Sequence, residues 1–309
     1  MDIDKGLESR LKRFTNSCAA KNVGAEAPLA PPPHLRTLSP HLEVAARAAA
    51  KAGNIIRESY NKLQNVQEKG VGDLVTDTDR EADQAIHETL HYLTPSYGII
   101  SEEVSPKGTA SSGGIWIVDP LDGTSAFVFR AGRQYPAVLI ALEYNKQLIA
   151  GLCLFPLTGE WFYAFKGRGA YKNGQRLIAP KLTCSPESTW VAMNHYAAVK
   201  DETPFFSKLV KNLRAKGGAR LVTHELPHSG LSLRLLDGTA GYSAVVHDNG
   251  PHNLKQGPWD IAAPQLIVEE AGGVFLNEHG DRVSPFRPEP MIICADRRLA
   301  DWLRERARS

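Results

Sequence analysis

Asp119-Pro120-Leu121-Asp122-Gly123-Thr124 closes the apolar run Ile115-Trp116-Ile117-Val118, and the reading of these ten residues decides the fold. A short apolar run that ends directly in acidic residues is a buried strand presenting polar groups at its end. Gly98-Ile99-Ile100 repeats the arrangement and runs into Ser101-Glu102-Glu103. Upstream, Leu42, Val44, Ala45, Ala48, Ala52, Ile55 and Ile56 recur at helical spacing up to Tyr60, and a second helix is expected over 77–93. Downstream, strand-like runs over 138–143, 148–155 and 161–165, separated by turns at Asn145-Lys146 and Thr158-Gly159, predict an antiparallel meander. Beyond Pro180 the pattern alternates: a strand at Trp190, a helix over 205–214, a strand near Arg220, a helix over 231–236, a strand over 242–246 and a helix from Trp259. Strands interleaved with helices predict an α/β (α+β) chain in two halves with a cleft between them.

Residues 23–40 are rich in Ala and Pro, include Pro31-Pro32-Pro33 and show no apolar periodicity. They read as a linker after a disordered tail. The expected organisation is tail and linker over 1–38, an N-terminal half over 39–180 and a C-terminal half over 181–309. The 36 basic and 34 acidic residues nearly cancel, so no field that would attract a polyanion is implied and nucleic acid is not an expected partner. Cys18, Cys153, Cys184 and Cys294 lie far apart with no zinc spacing, as in a reduced intracellular chain. No apolar run reaches the roughly 18 to 20 residues of a membrane helix. A cytoplasmic protein is expected, with the basic residues between Arg10 and Lys21 as the one sign of an organelle address.

Asp119 and Asp122 offer two carboxylates at one strand end. Hard oxygen ligands with no His or Cys beside them suit magnesium or calcium before zinc, and magnesium is the usual partner of substrate phosphates. Leu121 can add only its backbone carbonyl. Gly123 allows close backbone approach, and the amides of Gly123 and Thr124 at a helix start can hold a phosphate oxygen. Each part also has a plain reading: Asp122-Gly123-Thr124 as a turn with a helix cap, Glu102 as a loop charge, Asp260 as an acid favoured in a first helical turn. Their joint occurrence at three element ends points to metal-assisted phosphate chemistry.

In order along the chain, these motifs resemble those of the inositol monophosphatase family of lithium-sensitive, metal-dependent phosphatases. Gly72-Asp73-Leu74-Val75-Thr76-Asp77-Thr78-Asp79 is similar to its first acidic signature, Ser101-Glu102-Glu103 to its glutamate pair, and 119–124 to its defining motif. Gly167-Arg168-Gly169-Ala170 with Asn173-Gly174 resembles its hairpin, and Pro258-Trp259-Asp260-Ile261-Ala262-Ala263 with Glu270-Ala271-Gly272-Gly273 its C-terminal signature. The resemblance implies a layered αβαβα sandwich and two or three Mg2+ ions. It implies Glu102, Asp119 and the Leu121 carbonyl on one ion, Asp119, Asp122 and Asp260 on a second, and Glu102 with Asp79 on a third. Thr124 and Asp79 would position and deprotonate the attacking water, with Gly123, Thr124 and Asn253 toward the substrate. A small phosphate ester of inositol monophosphate type is the implied substrate, a homodimer the implied assembly, and lithium an implied inhibitor. Histidinol-phosphate and nucleotide 3'-phosphate are alternatives on the same fold, and a non-catalytic phosphometabolite sensor is the alternative from another class. Asp77 does not match the family's aspartate and is assigned to the surface or to helix capping.

The departures fall on the substrate side. Ala126 stands where the family has Asn, the segment 127–133 is longer than usual, and 247–257 is expanded. His195, His224, His228, His247 and His252 match no ligand spacing and read as surface or satisfied core residues. Arg130 and Arg133 read as solvated loop charges. Because 1–36 carries no ligand, its removal is expected to leave activity intact.

Overall fold

A single helical turn, α1 (Leu35–Leu38), ends at Ser39, whose hydroxyl accepts from the His41 N–H (3.2 Å) and so caps α2 (Pro40–Ser59). Pro40 supplies the φ suited to a first helical position. The computed structural model describes residues 10, 27–70, 73–103, 113–132, 135–194, 203–215, 219–224, 228–239, 241–248, 256–287 and 289–308. A hairpin of β1 (Val66–Gly70) and β2 (Asp73–Thr76) leads into α3 (Asp77–Leu93). Next come β3 (Gly98–Ser101), β4 (Ile115–Asp122), the short helix α4 (Thr124–Val128), β5 (Ala137–Tyr144) and β6 (Gln147–Phe155). With β7 (Glu160–Phe165), β8 (Ala170–Lys172) and β9 (Gln175–Leu177) they form a seven-stranded sheet, antiparallel except for the β3–β4 pair. Asn145-Lys146 (φ 50° and 59°) and Asn173-Gly174 (φ 47° and 93°) make two-residue turns whose positive φ values match hairpin twist.

The rest of the chain builds a smaller sheet of order β11-β10-β12-β14-β13. Its elements are β10 (Trp190–Asn194), α5 (Pro204–Ala215), β11 (Arg220–His224), α6 (His228–Arg234), β12 (Ala244–His247), α7 (Pro258–Glu270), β13 (Val274–Asn277), β14 (Met291–Cys294) and α8 (Arg297–Arg308). α2 and α3 cover one face of the large sheet, where Leu42, Ile56 and Ile86 meet Trp116, Val118 and Leu152. Its other face, with Ile117, Leu139 and Cys153, packs against α6 and α7, and beyond them lie Val245 and Ile293 of the small sheet. α5 and α8 cover the outer face of the small sheet through Leu209 and Leu303. The architecture is an αβαβα sandwich.

α7 lies between the two sheets, and every residue from Ile261 to Val268 is buried. A helix buried all round carries no polar stripe. A Cβ at Gly151 of β6 would stand 2.9 Å from the Ala263 carbonyl oxygen, so glycine there lets α7 sit directly on the large sheet. The two halves therefore share one core through this helix.

Three sequence expectations differ from the structure. The strand over 115–118 continues to Asp122. The helix over 231–236 is found at His228–Arg234, and Leu235 and Leu236 bury in the turn that follows it. The segment 27–38, read as linker, is docked: Leu35 is 1% exposed, Leu29 packs on the core, and the Leu29 N–H donates to Asn54 Oδ1 (2.9 Å). His34 hydrogen-bonds the Tyr163 hydroxyl. Prolines hide the periodicity of such a segment, yet two leucines are enough to seat it. No helix among the described residues is long and apolar enough to cross a membrane.

Candidate active site

In a regular strand, residues three apart face opposite sides of the sheet. Asp119 pairs with Leu139 and Asp122 with Ala137, so a three-residue step on β4 faces a two-residue step on β5. This bulge at Pro120-Leu121 returns Asp122 to the side of Asp119 and leaves Leu121 in the core with Val118. Proline is tolerated there because a bulge needs no ladder hydrogen bond from its nitrogen. Gly123 then takes the left-handed conformation (φ 87°) and starts α4, its carbonyl accepting the Phe127 N–H (2.9 Å).

The structure brings together three of the predicted metal ligands. Asp119, Asp122 and Asp260 each offer an oxygen within 4.8 Å of the others. Asp260 reaches them from the first turn of the buried helix α7, where it also accepts the Gly257 N–H (2.7 Å). Asp119 Oδ1 accepts the Leu121 N–H (3.0 Å), and Asp122 Oδ2 accepts the Ser229 hydroxyl. Burial, and then the charges of Glu102, Asp122 and Asp260, push Asp119 well above the usual carboxylate range. Asp260 is raised by burial and by Glu102 and Asp122. Burial raises Asp122 to about 6 against the hydrogen bonds from Ser229. Such a cluster is costly unless a cation shares it. Asp119 Oδ2 is buried and has no hydrogen-bond partner. All-oxygen donors, three converging carboxylates and an orphaned oxygen fit a hard divalent cation.

α3 supports the cluster from the other face. Thr76 caps it reciprocally with Asp79: the Thr76 N–H and hydroxyl donate to Asp79 Oδ2 (2.8 and 2.5 Å), and the Asp79 N–H donates back to the hydroxyl (3.4 Å). Asp79 Oδ1 accepts from Thr124 Oγ1 at 2.8 Å, and the same hydroxyl lies 3.1 Å from the Leu121 carbonyl. Burial raises Asp79 to about 6 against the hydrogen bonds from Thr76 and Thr124. One turn on, Asp83 accepts the hydroxyl of Ser101 and so ties the end of β3 to the same helix face.

Glu102 is placed beside this cluster with its carboxylate on a lysine. Lys69 Nζ of the β1–β2 hairpin lies 2.8 Å from both Glu102 and Glu103. Burial pulls the Lys69 pKa down, but the two glutamates outweigh it and the ammonium is held charged. Glu102 is raised to about 7, by burial first, with Lys69 opposing and Glu103 and Asp79 adding. For the expected third ion, a cation already stands on Glu102, and both oxygens of Asp79 are hydrogen-bonded.

Asp77 is exposed and pairs with Asn65 and Arg80, a surface role. Arg130 is exposed and donates to the Asn61 carbonyl (3.5 Å). His247 is buried on β12. Asn253, His195, His252 and Arg133 lie outside the described residues. Sequence reasoning missed Lys69, Asp83 and Ser229. Asp83 had a signal, since it stands four residues after Asp79 on the stripe of Ala82, Ile86 and Leu90. Lys69 and Ser229 had none, because their partners are 33 and 107 residues away.

The family model described as "Inositol monophosphatase family" matches residues 37–309. The chain is 34% identical over 255 residues to inositol monophosphatase 2 of Solanum lycopersicum, covering 77% of this chain and 88% of that relative. It is 30% identical over 252 residues to Nus factor SuhB of Escherichia coli (strain K12), covering 79% and 87%. Among solved structures, extragenic suppressor protein suhB from Bartonella henselae superposes with a TM-score of 0.75 at 26% identity, covering 88% of this chain and 99% of that one. An inositol monophosphatase of Thermotoga maritima superposes with a TM-score of 0.71 at 25% identity, covering 87% and 97%.

Proposed function

The chain belongs to the inositol monophosphatase family and is a metal-dependent phosphatase, and we propose that it hydrolyses a small polyol or sugar phosphate of inositol monophosphate type with two or three Mg2+ ions. One observation carries the reading: three carboxylates from β4 and α7 meet within 4.8 Å, and an Asp119 oxygen among them is buried without a partner. Asp119, Asp122 and Asp260 would hold one ion, and Glu102, Asp119 and the Leu121 carbonyl another. When bound, such ions lower the pKa of a coordinated water and neutralise charge developing on the phosphoryl oxygens. The Gly123 and Thr124 amides receive a phosphate oxygen. The Thr124 hydroxyl takes a proton from the attacking water while passing its own to Asp79 Oδ1, 2.8 Å away. A carboxyl raised to about 6 is an effective base near neutral pH. Asn253 is the proposed contact to the leaving alcohol, and a cytoplasmic homodimer is the proposed form.

Phosphate release from polyol, sugar, histidinol and nucleotide 3'-phosphates, measured with Mg2+ and with chelator, tests the reading. Wild type should turn over at least one polyol or sugar ester only with the ion present, and Asp122→Asn should lose about 100-fold or more. Preference for a histidinol or nucleotide ester would overturn the substrate class alone. The Nus factor name borne by some relatives prompts a second reading, a non-catalytic phosphometabolite sensor on the same scaffold. Tight binding of the esters with no turnover of any would establish that reading instead.

A further inference from the structure

We propose that Ser229 is a positioning residue for Asp122, and that Arg234 holds Ser229 in place by clamping the far end of the same helix to the large sheet. Both Ser229 and Asp122 are buried, and the serine hydroxyl donates to Asp122 Oδ2. A neutral donor on one carboxylate oxygen restrains the Asp122 carboxylate beside Asp119 and Asp260 before an ion arrives. That is the way partners behind a metal ligand usually act. Ser229 comes from the other half of the chain, and neither it nor Arg234 belongs to any of the acidic motifs.

The seven residues of α6 are too few to hold their own position by helical hydrogen bonding. Leu231 and Leu233 give the helix depth in the core, and the ion cluster at its end gives it direction. Arg234 Nη1 and Nη2 form a fork on Glu160 of β7, at 2.8 and 2.6 Å, and Nη1 also meets Asp237 Oδ2 at 3.1 Å. Lys172 of β8 lies 2.7 Å from both Glu160 and Asp237 and balances the second carboxylate. The guanidinium sits over the rings of Phe155 and Phe162, 5.1 and 5.6 Å from their centroids. A planar fork that is paired edge-on and stacked face-on fixes orientation as well as distance, which a lysine cannot do. The clamp ties α6 to β6–β8 at one end, and Ser229 meets β4 at the other.

The inference rests on Asp122 being a metal ligand, so the experiment separates the two. Mg2+ is titrated calorimetrically into substrate-free protein, and its half-saturating concentration and kcat are measured in turnover. Ser229→Ala should bind Mg2+ about tenfold more weakly and need a similarly higher Mg2+ concentration, while kcat at saturating Mg2+ changes by less than about threefold. Arg234→Met should weaken Mg2+ binding in the same direction by about two- to fivefold, and Arg234→Lys should not restore it. Unchanged Mg2+ affinity in Ser229→Ala, with Asp122→Asn deficient, overturns the positioning role. Unchanged affinity in Arg234→Met overturns the clamp. Wild-type Mg2+ affinity in Asp122→Asn overturns the metal reading beneath both. Circular dichroism and the thermal midpoint of each variant establish that the compared proteins are folded.

Discussion

Burial dominates the chemistry of single residues in this site. It holds Asp79 and Asp122 at about 6 and Glu102 at about 7. A carboxyl raised in the folded chain binds its proton more tightly there than when unfolded, so it favours the fold at low pH, and that contribution is lost as pH rises through the folded pKa. Chelator-treated protein should therefore melt at a higher temperature near roughly pH 5 than at pH 7.5, and Mg2+ at pH 7.5 should recover the difference. A flat or opposite profile would contradict this account. Glu160 behaves in the reverse sense: the Arg234 fork holds it at about 2, and its contribution is lost as pH falls below its unfolded value of 4.5. Gly123 is constrained by backbone geometry, because φ 87° is a conformation that side chains resist. Gly123→Ala should cost roughly 1–2 kcal/mol in urea unfolding and lower kcat by moving the amide proposed to receive phosphate.

Two elements place the proposed ligands, a bulged strand and a buried helix. The extra residue in β4 puts Asp119 and Asp122 on one side, and α7 delivers Asp260 to the same point from between the sheets. The end of α7 is fastened by Glu270, whose two oxygens accept the N–H groups of Gly167 and Gly169, each at 2.8 Å. An acid at a helix C-terminus opposes the macrodipole, so this one is retained for its partners. The contact explains why Glu270 and the Gly167–Gly169 turn appear as separate motifs in one chain: each completes the other. Glu270→Ala should destabilise by about 1–3 kcal/mol, measured by chemical denaturation, and leave Mg2+ affinity unchanged. A loss of Mg2+ binding with unchanged stability would assign Glu270 to the site itself.

Across the whole molecule, the docked segment 27–38 extends the core that α2 shares with the large sheet. Leu35→Ala should cost about 2–5 kcal/mol, and removal of 1–36 should lower the unfolding midpoint while the folded fraction keeps its turnover, since none of the proposed ligands lies in that segment. Wild-type stability in both variants would return the segment to a linker. Much of this molecule was legible in its sequence because it rests on local physics. Periodicity marks α3, apolar runs mark β5 to β7, Asn145-Lys146 marks a hairpin turn, and the acidic residues stand where strands and helices end. Other features depended on contacts across the sandwich. The side on which Asp122 faces is decided by its partner strand, and the cation on Glu102 comes from a hairpin 33 residues away. The donor to Asp122 comes from a helix 107 residues away. Spacing along a chain determines which residues share a strand or a helix face, but only packing of the two sheets about α7 determines which of those faces meet.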